Sequence, residues 1–182
     1  MDAITKTQIL TCYFESVSRQ LLTLDMKKVL EAVKAIQHTK STSGRVWIVG
    51  NGGSAATAMH FANDLQKMAK IDALALPSLV PTITAYGNDD GWENMFSNAM
   101  NSFLPGDLLF AISCSGNSVN VLKAVFAARA IGKVVGLTGV EENNALCRGL
   151  CDTVITVSSS DIKVVEDVHM AVCHAIAGML SV

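Results

Sequence analysis

The chain has 182 residues, half of them hydrophobic and 16% charged, with a formal net charge of −2. That balance points to one domain spanning 1–182 with a generous core, and to enough spare apolar surface to favour a homotetramer or dimer. No Lys/Arg run is present to displace counterions, no apolar stretch approaches the roughly 20 residues of a membrane span, and no signal-peptide core opens the chain. A direct nucleic-acid surface and a membrane protein are therefore excluded, and the chain reads as cytoplasmic.

In chain order, Ile4, Ile9, Leu10, Phe14, Val17 and Leu21 recur at helical spacing, which predicts a first helix over about 2–24. Asp25 reads as the N-cap of a second, with Val29, Leu30, Val33 and Ile36 as its stripe and the polar run 38–44 as its end. These two helices, 1–44, exceed the needs of a minimal α/β sandwich and are expected to pack on the sheet and on another subunit. The apolar run 45–49 predicts a buried strand; three glycines in 50–53 break it, and Ser54 opens a helix.

Residues 73–76 predict a weak strand, followed by a loop with Pro77 and Pro81, a turn at 87–91, a helix over 94–103 and a second turn in which Asp107 takes part. The run 108–113, apolar on both faces, predicts a central parallel strand, and 114–118 a turn into a helix over 119–131. Strands at 133–138 and 153–157 follow, and a last helix from about Asp161 to about Leu180. Trp47 and the methionines read as core. The alternation predicts an α/β fold: a three-layer α-β-α sandwich of flavodoxin-like type around a mostly parallel five-stranded sheet, with the two N-terminal helices ahead of it.

Two turns carry the chemistry. Gly50, Gly52 and Gly53 let a ligand approach the backbone, and the free N–H groups of the helix that Ser54 opens favour an anion, for which a phosphate is the natural guest. Ser113, Ser115 and Ser118 make a second, hydroxyl-lined turn after another buried strand, and both can face one crevice beyond the strand ends. Serines near turns also serve purely local roles, but two such turns after two parallel strands point to a shared site. The run 50–55 formally satisfies G-x-G-x-x-A, yet the next strand ends without an acidic residue for a ribose, so no nucleotide cofactor is expected. His60 and Asp64, four apart, share one helix face. Taken singly, His60 reads more readily as a core histidine, Asp64 as a solvated charge and Cys114 as a small filler than as site residues. His169 and His174, five apart, point in different directions, so at least one faces structure. The five cysteines are scattered without a CxxC pair, which argues against a disulfide framework or a zinc–thiolate site.

Gly50-Asn51-Gly52-Gly53-Ser54, Met59-His60-Phe61-Ala62, Gly87-Asn88-Asp89, the run 112–118 and Glu166-Asp167-Val168-His169 through His174 stand in an order that resembles the SIS (sugar isomerase) domain family. Within it the chain is similar to the phosphoheptose isomerases, which act on sedoheptulose 7-phosphate. The resemblance implies a homotetramer with sites shared between subunits, and in some members a zinc ion. It further implies that Asn51, Gly52, Gly53 and Ser54 lie against the sugar, that Asn88 and Asp89 hold hydroxyls, and that Ser113, Cys114, Ser115 and Ser118 surround the phosphate. Asp64 falls on a catalytic glutamate, His174 on the catalytic histidine, His60 on a metal ligand and Glu166 on a glutamine that touches substrate and metal; both acids depart from the family pattern.

Moving a carbonyl between C1 and C2 of a sugar phosphate takes a proton from one carbon and gives one to its neighbour through an enediol, work suited to a carboxylate and an imidazole. Asp64 is expected as the base and His174 as the acid; alternatively, His60, Asp64, Glu166 and His174 can gather around Zn²⁺. Two functions stay open: an aldose–ketose isomerase of the phosphoheptose type, and a noncatalytic phosphosugar-binding tetramer like the family members that associate with the bacterial replication initiator.

Overall fold

Five short strands, all parallel, lie in the order β2-β1-β3-β4-β5. The computed structural model describes residues 3–140 and 144–182. Helices α1 (Ala3–Leu22) and α2 (Met26–Ser41) precede β1 (Val46–Val49), α3 (Gly53–Lys67) and β2 (Ala73–Ala75). Then come α4 (Val80–Asp89), α5 (Met95–Ala99), β3 (Leu108–Ser113), α6 (Val119–Arg129), β4 (Lys133–Gly139), β5 (Thr153–Val157) and α7 (Ile162–Leu180). The expected three-layer α/β sandwich is what forms, with the sheet parallel throughout.

β1 and β3 are buried along their whole length, because helices cover both faces of the sheet. Alternation along each strand divides the core in two. Val46, Ile48, Leu108, Phe110 and Ile112 point to the face covered by α2, α3 and α7, where the Phe61 and Phe110 rings meet edge to face at 5.1 Å. Trp47, Val49, Leu109 and Ala111 point to the other face, against α5 and α6. Asp25 and Asp161 cap α2 and α7, accepting from Lys27 N–H and Lys163 N–H, as short oxygen side chains do for orphan donors at a helix start. α1 is fastened to α7 by the Tyr13 hydroxyl, which donates to Asp167 at 2.6 Å; that bond pushes the phenol up to about 12.

Four expectations give way. The turn expected at 87–91 is overtaken by α4, which runs to Asp89 because Pro81 sits in its first turn, where a missing N–H costs nothing. The helix expected over 94–103 is only one turn long, a 3-10 turn at Trp92–Asn94 leading into α5. Leu30 leaves the α2 stripe for solvent, as do Met26, Met59, Met68 and Met179, while Met95 and Met100 are core. Asp107 is not a simple turn residue: buried, it accepts from Arg45 N–H, Leu104 N–H and Trp47 Nε1–H, tying the starts of β1 and β3 together.

His169, on the sheet side of α7, is 1% exposed, and neither ring nitrogen makes a hydrogen bond. Burial drives its pKa from the ordinary 6.5 down to about 4, the Thr138 backbone pulling weakly the other way. The unfolded chain therefore binds a proton near pH 6.5 that the folded chain refuses until about pH 4. The stability His169 contributes is whole above pH 6.5 and is lost as pH falls through that window, by about 3 kcal/mol. Urea unfolding from pH 7 to 4 is expected to show a steeper loss in the wild type than in His169→Leu.

Candidate active site

β1 and β3 are neighbours, yet the chain leaves β1 for α3 on one face and β3 for α6 on the other. A crevice opens where the strand order reverses, beyond the carboxyl ends. It holds a cavity of about 170 Å³, with Asn51 and Ser54 on the β1 side, Ser113, Cys114, Ser115 and Ser118 on the β3 side, and Ile162 and Glu166 of α7 above. The two serine- and glycine-bearing turns thus share one space, as their positions after parallel strands imply.

The cavity is built of donors. Asn117 N–H donates to Ser115 Oγ at 3.1 Å and Gly116 N–H to Ser113 Oγ at 3.2 Å, which fixes the serine turn and leaves the Ser115 hydroxyl proton to offer a ligand. Ser113 and Ser118 hydroxyls lie 3.1 Å apart, and Ser54 Oγ is 3.8 Å from Cys114 Sγ. Neither α3 nor α6 is capped by the side chain of its N-cap residue, Gly52 or Ser118, whereas α2 and α7 are capped by Asp. α3 and α6, which set out from the glycine and serine turns, keep their partial positive ends toward a ligand, the arrangement that binds anions.

Two close approaches shape the walls. A Cβ on Gly53 would collide with the Glu166 carboxyl, so only glycine lets α7 hold that carboxylate over the start of α3. Gly116, at φ +67, packs against the Asn144 amide, which donates to Thr138 Oγ1 and to Gly139 O of β4 at 2.9 and 2.8 Å.

Further along α3 and α7, which pack side by side, lies a second group. His60 Nε2 stands 3.4 Å and His174 Nε2 3.8 Å from Asp64 Oδ2, the two rings meeting edge-on at 5.0 Å. Asp64 is buried while both histidines are about half exposed, so the carboxylate is screened by the rings that partner it. His60 is thus no core histidine, and of the pair on α7 it is His169 that faces structure. One ligand atom from each of His60, Asp64 and His174 lies within 4.8 Å of the others, a set able to hold a metal ion.

Glu166 stands apart from this group. It precedes His174 by two turns of α7, about 12 Å along the axis, and lines the phosphate-sized cavity instead. Asn88 and Asp89, on the last turn of α4, are exposed, bond to each other at 2.7 Å and do not line the cavity. Ile162, Asn120 and Asn144 were not expected at the site. Asn144 sits in a stretch without periodicity, and Asn120 carries no cue beyond its closeness to Ser118.

Fold and crevice together define a phosphosugar-type site on a doubly wound sheet, and residues 12–139 match the SIS domain: the chain belongs to that family. Within it, the chain is similar to phosphoheptose isomerases. That of Rhodospirillum rubrum is 38% identical over 159 residues, covering 84% of each chain, and that of Campylobacter concisus 40% identical over 152 residues, covering 80% of this chain and 79% of the relative. The solved phosphoheptose isomerase of Neisseria gonorrhoeae superposes with a TM-score of 0.88 at 28% identity, covering 97% of this chain and 98% of the other.

Gly116→Ala is expected to lower the unfolding free energy by about 1–2 kcal/mol through the left-handed backbone alone, and further as Asn144 is pushed off Thr138. Urea unfolding with an unchanged m-value checks it.

Proposed function

We propose that the chain is a phosphosugar isomerase that interconverts sedoheptulose 7-phosphate and D-glycero-manno-heptose 7-phosphate. The observation that carries this reading is the pairing of a serine-lined anion crevice with a carboxylate held between two imidazoles farther along α3 and α7. Phosphoheptose isomerases at 35–40% identity over most of the chain support it. The noncatalytic alternative has no use for Asp64 set against two histidines, and the relatives do not favour it.

In this reading the phosphate rests in the turn of Ser113, Cys114, Ser115 and Ser118, and Asn51, Gly52, Gly53 and Ser54 face the sugar. The chain of carbons then extends down the α3–α7 seam. Asp64 takes the C1 proton of the ketose, the electron pair moves into the C1–C2 bond, and the C2 oxygen takes a proton from His174. His174 then takes the O1 proton as the C1 carbonyl forms and Asp64 returns its proton to C2, which completes the aldose and restores both groups. Glu166, between the two ends, accepts hydrogen bonds from sugar hydroxyls. Asn88 and Asp89, remote from the cavity of their own chain, would serve a site shared with a second subunit. The exposed Ile4, Ile9, Leu10 and Phe14 of α1 support a homotetramer, since such a stripe is costly to leave in water.

The ligand spacing fits zinc: nitrogen and oxygen ligands at about 2.0–2.2 Å around a tetrahedral ion stand about 3.4 Å from one another, close to the separations of His60 and His174 from Asp64. Held by His60, Asp64 and His174, the ion would occupy the atoms that otherwise serve as base and acid, so it is an alternative to the direct proton transfer and not an addition to it. It would polarise the carbonyl and stabilise developing negative charge.

Incubation with sedoheptulose 7-phosphate in deuterated water is expected to place deuterium on carbon in the recovered sugars. Asp64→Asn and His174→Ala are expected to reduce that exchange by at least about 10²-fold with the fold intact by circular dichroism. Exchange at wild-type rate in either variant removes the assigned acid–base pair. Native mass spectrometry in zinc-supplemented buffer is expected to give a tetramer; one zinc per subunit, lost in His60→Ala, replaces the direct acid–base pair with the metal scheme, and a metal-free wild type removes the ion.

A further inference from the structure

Asn120, the second residue of α6, is fully buried although it carries a primary amide. Burial of such a group is unfavourable unless its donors and acceptors are met, and here they are met from across the crevice. Asn51 Nδ2 donates to Asn120 Oδ1 at 2.8 Å, and Asn120 Nδ2 donates back to Asn51 Oδ1 at 2.9 Å. Val121 N–H adds a third bond to Asn120 Oδ1 at 3.0 Å. The two amides are locked face to face, and the second is locked to the first turn of its own helix.

This pair sits where the backbone stops doing the same work. The β1–β3 ladder ends at Val49 and Ala111, and beyond it the glycine turn and the serine turn diverge onto opposite faces of the sheet. The spacing of the two walls of the crevice then rests on side chains: the amide pair and the longer Ser54–Cys114 contact. We propose that Asn120 is a positioning residue for the isomerase reaction, clasping Asn51 so that the glycine turn and the serine turn present their donors to one phosphorylated sugar. The clasp also aims Asn51, whose amide keeps one N–H and one lone pair for the substrate. The proposal rests on the reading that the crevice holds the sugar phosphate.

Asn120→Ala removes both reciprocal bonds and leaves the Asn51 amide without its partner. Its KM for sedoheptulose 7-phosphate is expected to rise about tenfold while kcat changes less than about threefold, because the clasp lies at the binding end and not at Asp64 and His174. Asn120→Asp keeps the shape and supplies a second readout. Ionised, its carboxylate sets an acceptor against Asn51 Oδ1; protonated, it donates to that oxygen as Asn120 Nδ2 does. Burial raises the pKa of the introduced carboxyl, so its KM relative to wild type is expected to recover as pH falls from 8 to 6, while that of Asn120→Ala does not. A KM within about twofold of wild type in Asn120→Ala, or parallel pH profiles for the two variants, overturns the proposal. Hydrogen exchange of peptides spanning 50–56 decides the clasp without any substrate. Faster exchange there in Asn120→Ala, with β4 and β5 unchanged, supports it, and unchanged exchange overturns it. A wild type that turns over no sugar phosphate sinks the functional reading and leaves the exchange result to judge the clasp alone.

Discussion

Asp64 can lie between two histidines only because α3 and α7 run side by side on one face of the sheet, each starting at its carboxyl edge. Two helices that set out from the same edge descend together. Residues near their starts, Ser54 and Glu166, therefore meet at the crevice, and residues two to three turns on, His60, Asp64 and His174, meet along the seam. The order of strands enforces this. β1 and β3 are neighbours whose chains exit to opposite faces, so the crevice lies between α3 and α6, and α7 crosses back to close it from the side of α3. The hydrophobic contacts that seat α7, from Val164, Val165, Val168, Val172 and Ile176, are thus what hold the acid and the imidazoles in register.

The electrostatics of the crevice are unusual for an anion site. Among the described residues that line it there is no Lys or Arg, and one residue, Glu166, is acidic. Attraction has to come from oriented dipoles: the starts of α3 and α6, neither capped by the side chain of its N-cap residue, and the hydroxyls of the serine turn. Such donors are fixed by the backbone, and they favour an anion that accepts many hydrogen bonds at once over a compact charge. The same reasoning explains why the side walls must be rigid. A donor set without a formal charge gains its strength from alignment, and the alignment here is kept by Asn120 on one side and Asn144 on the other.

What was legible in the sequence was local. The all-apolar run of β3, the Asp caps of α2 and α7 and the two turns after strands state their roles within a few residues. What was not legible depends on partners far along the chain. Asp107 follows Pro-Gly and looks like a turn residue, until Arg45 and Trp47, some sixty positions earlier, are brought to it. Asn120 looks like a surface amide until Asn51 arrives. α4 buries no residue and so leaves no periodic stripe to read, and its sequence reads as loop and turn. The position of His60 one turn before Asp64 was written in the spacing, whereas the approach of His174 required the seating of α7.

The two acidic departures from the family pattern act in different places, which is why they need not conflict. Asp64 is shorter than glutamate, so its carboxylate stays nearer the axis of α3, and His60 and His174 close on it to 3.4 and 3.8 Å. On the proposed reading, the reacting carbons must then come deeper into the seam. Glu166 places its added charge not beside that carboxylate but two turns away, over Gly53 and against the cavity. There a carboxylate can only accept hydrogen bonds, so whatever lies between the phosphate and the carbonyl must offer donors. A polyhydroxylated chain does so, and a second phosphate or a carboxylate does not. The order along the groove, dipolar cup, acceptor, acid–imidazole group, is matched by a substrate that runs phosphate, hydroxyls, carbonyl. A ligand lacking the middle segment would leave a half-buried carboxylate facing nothing but the anion it is asked to share the cavity with.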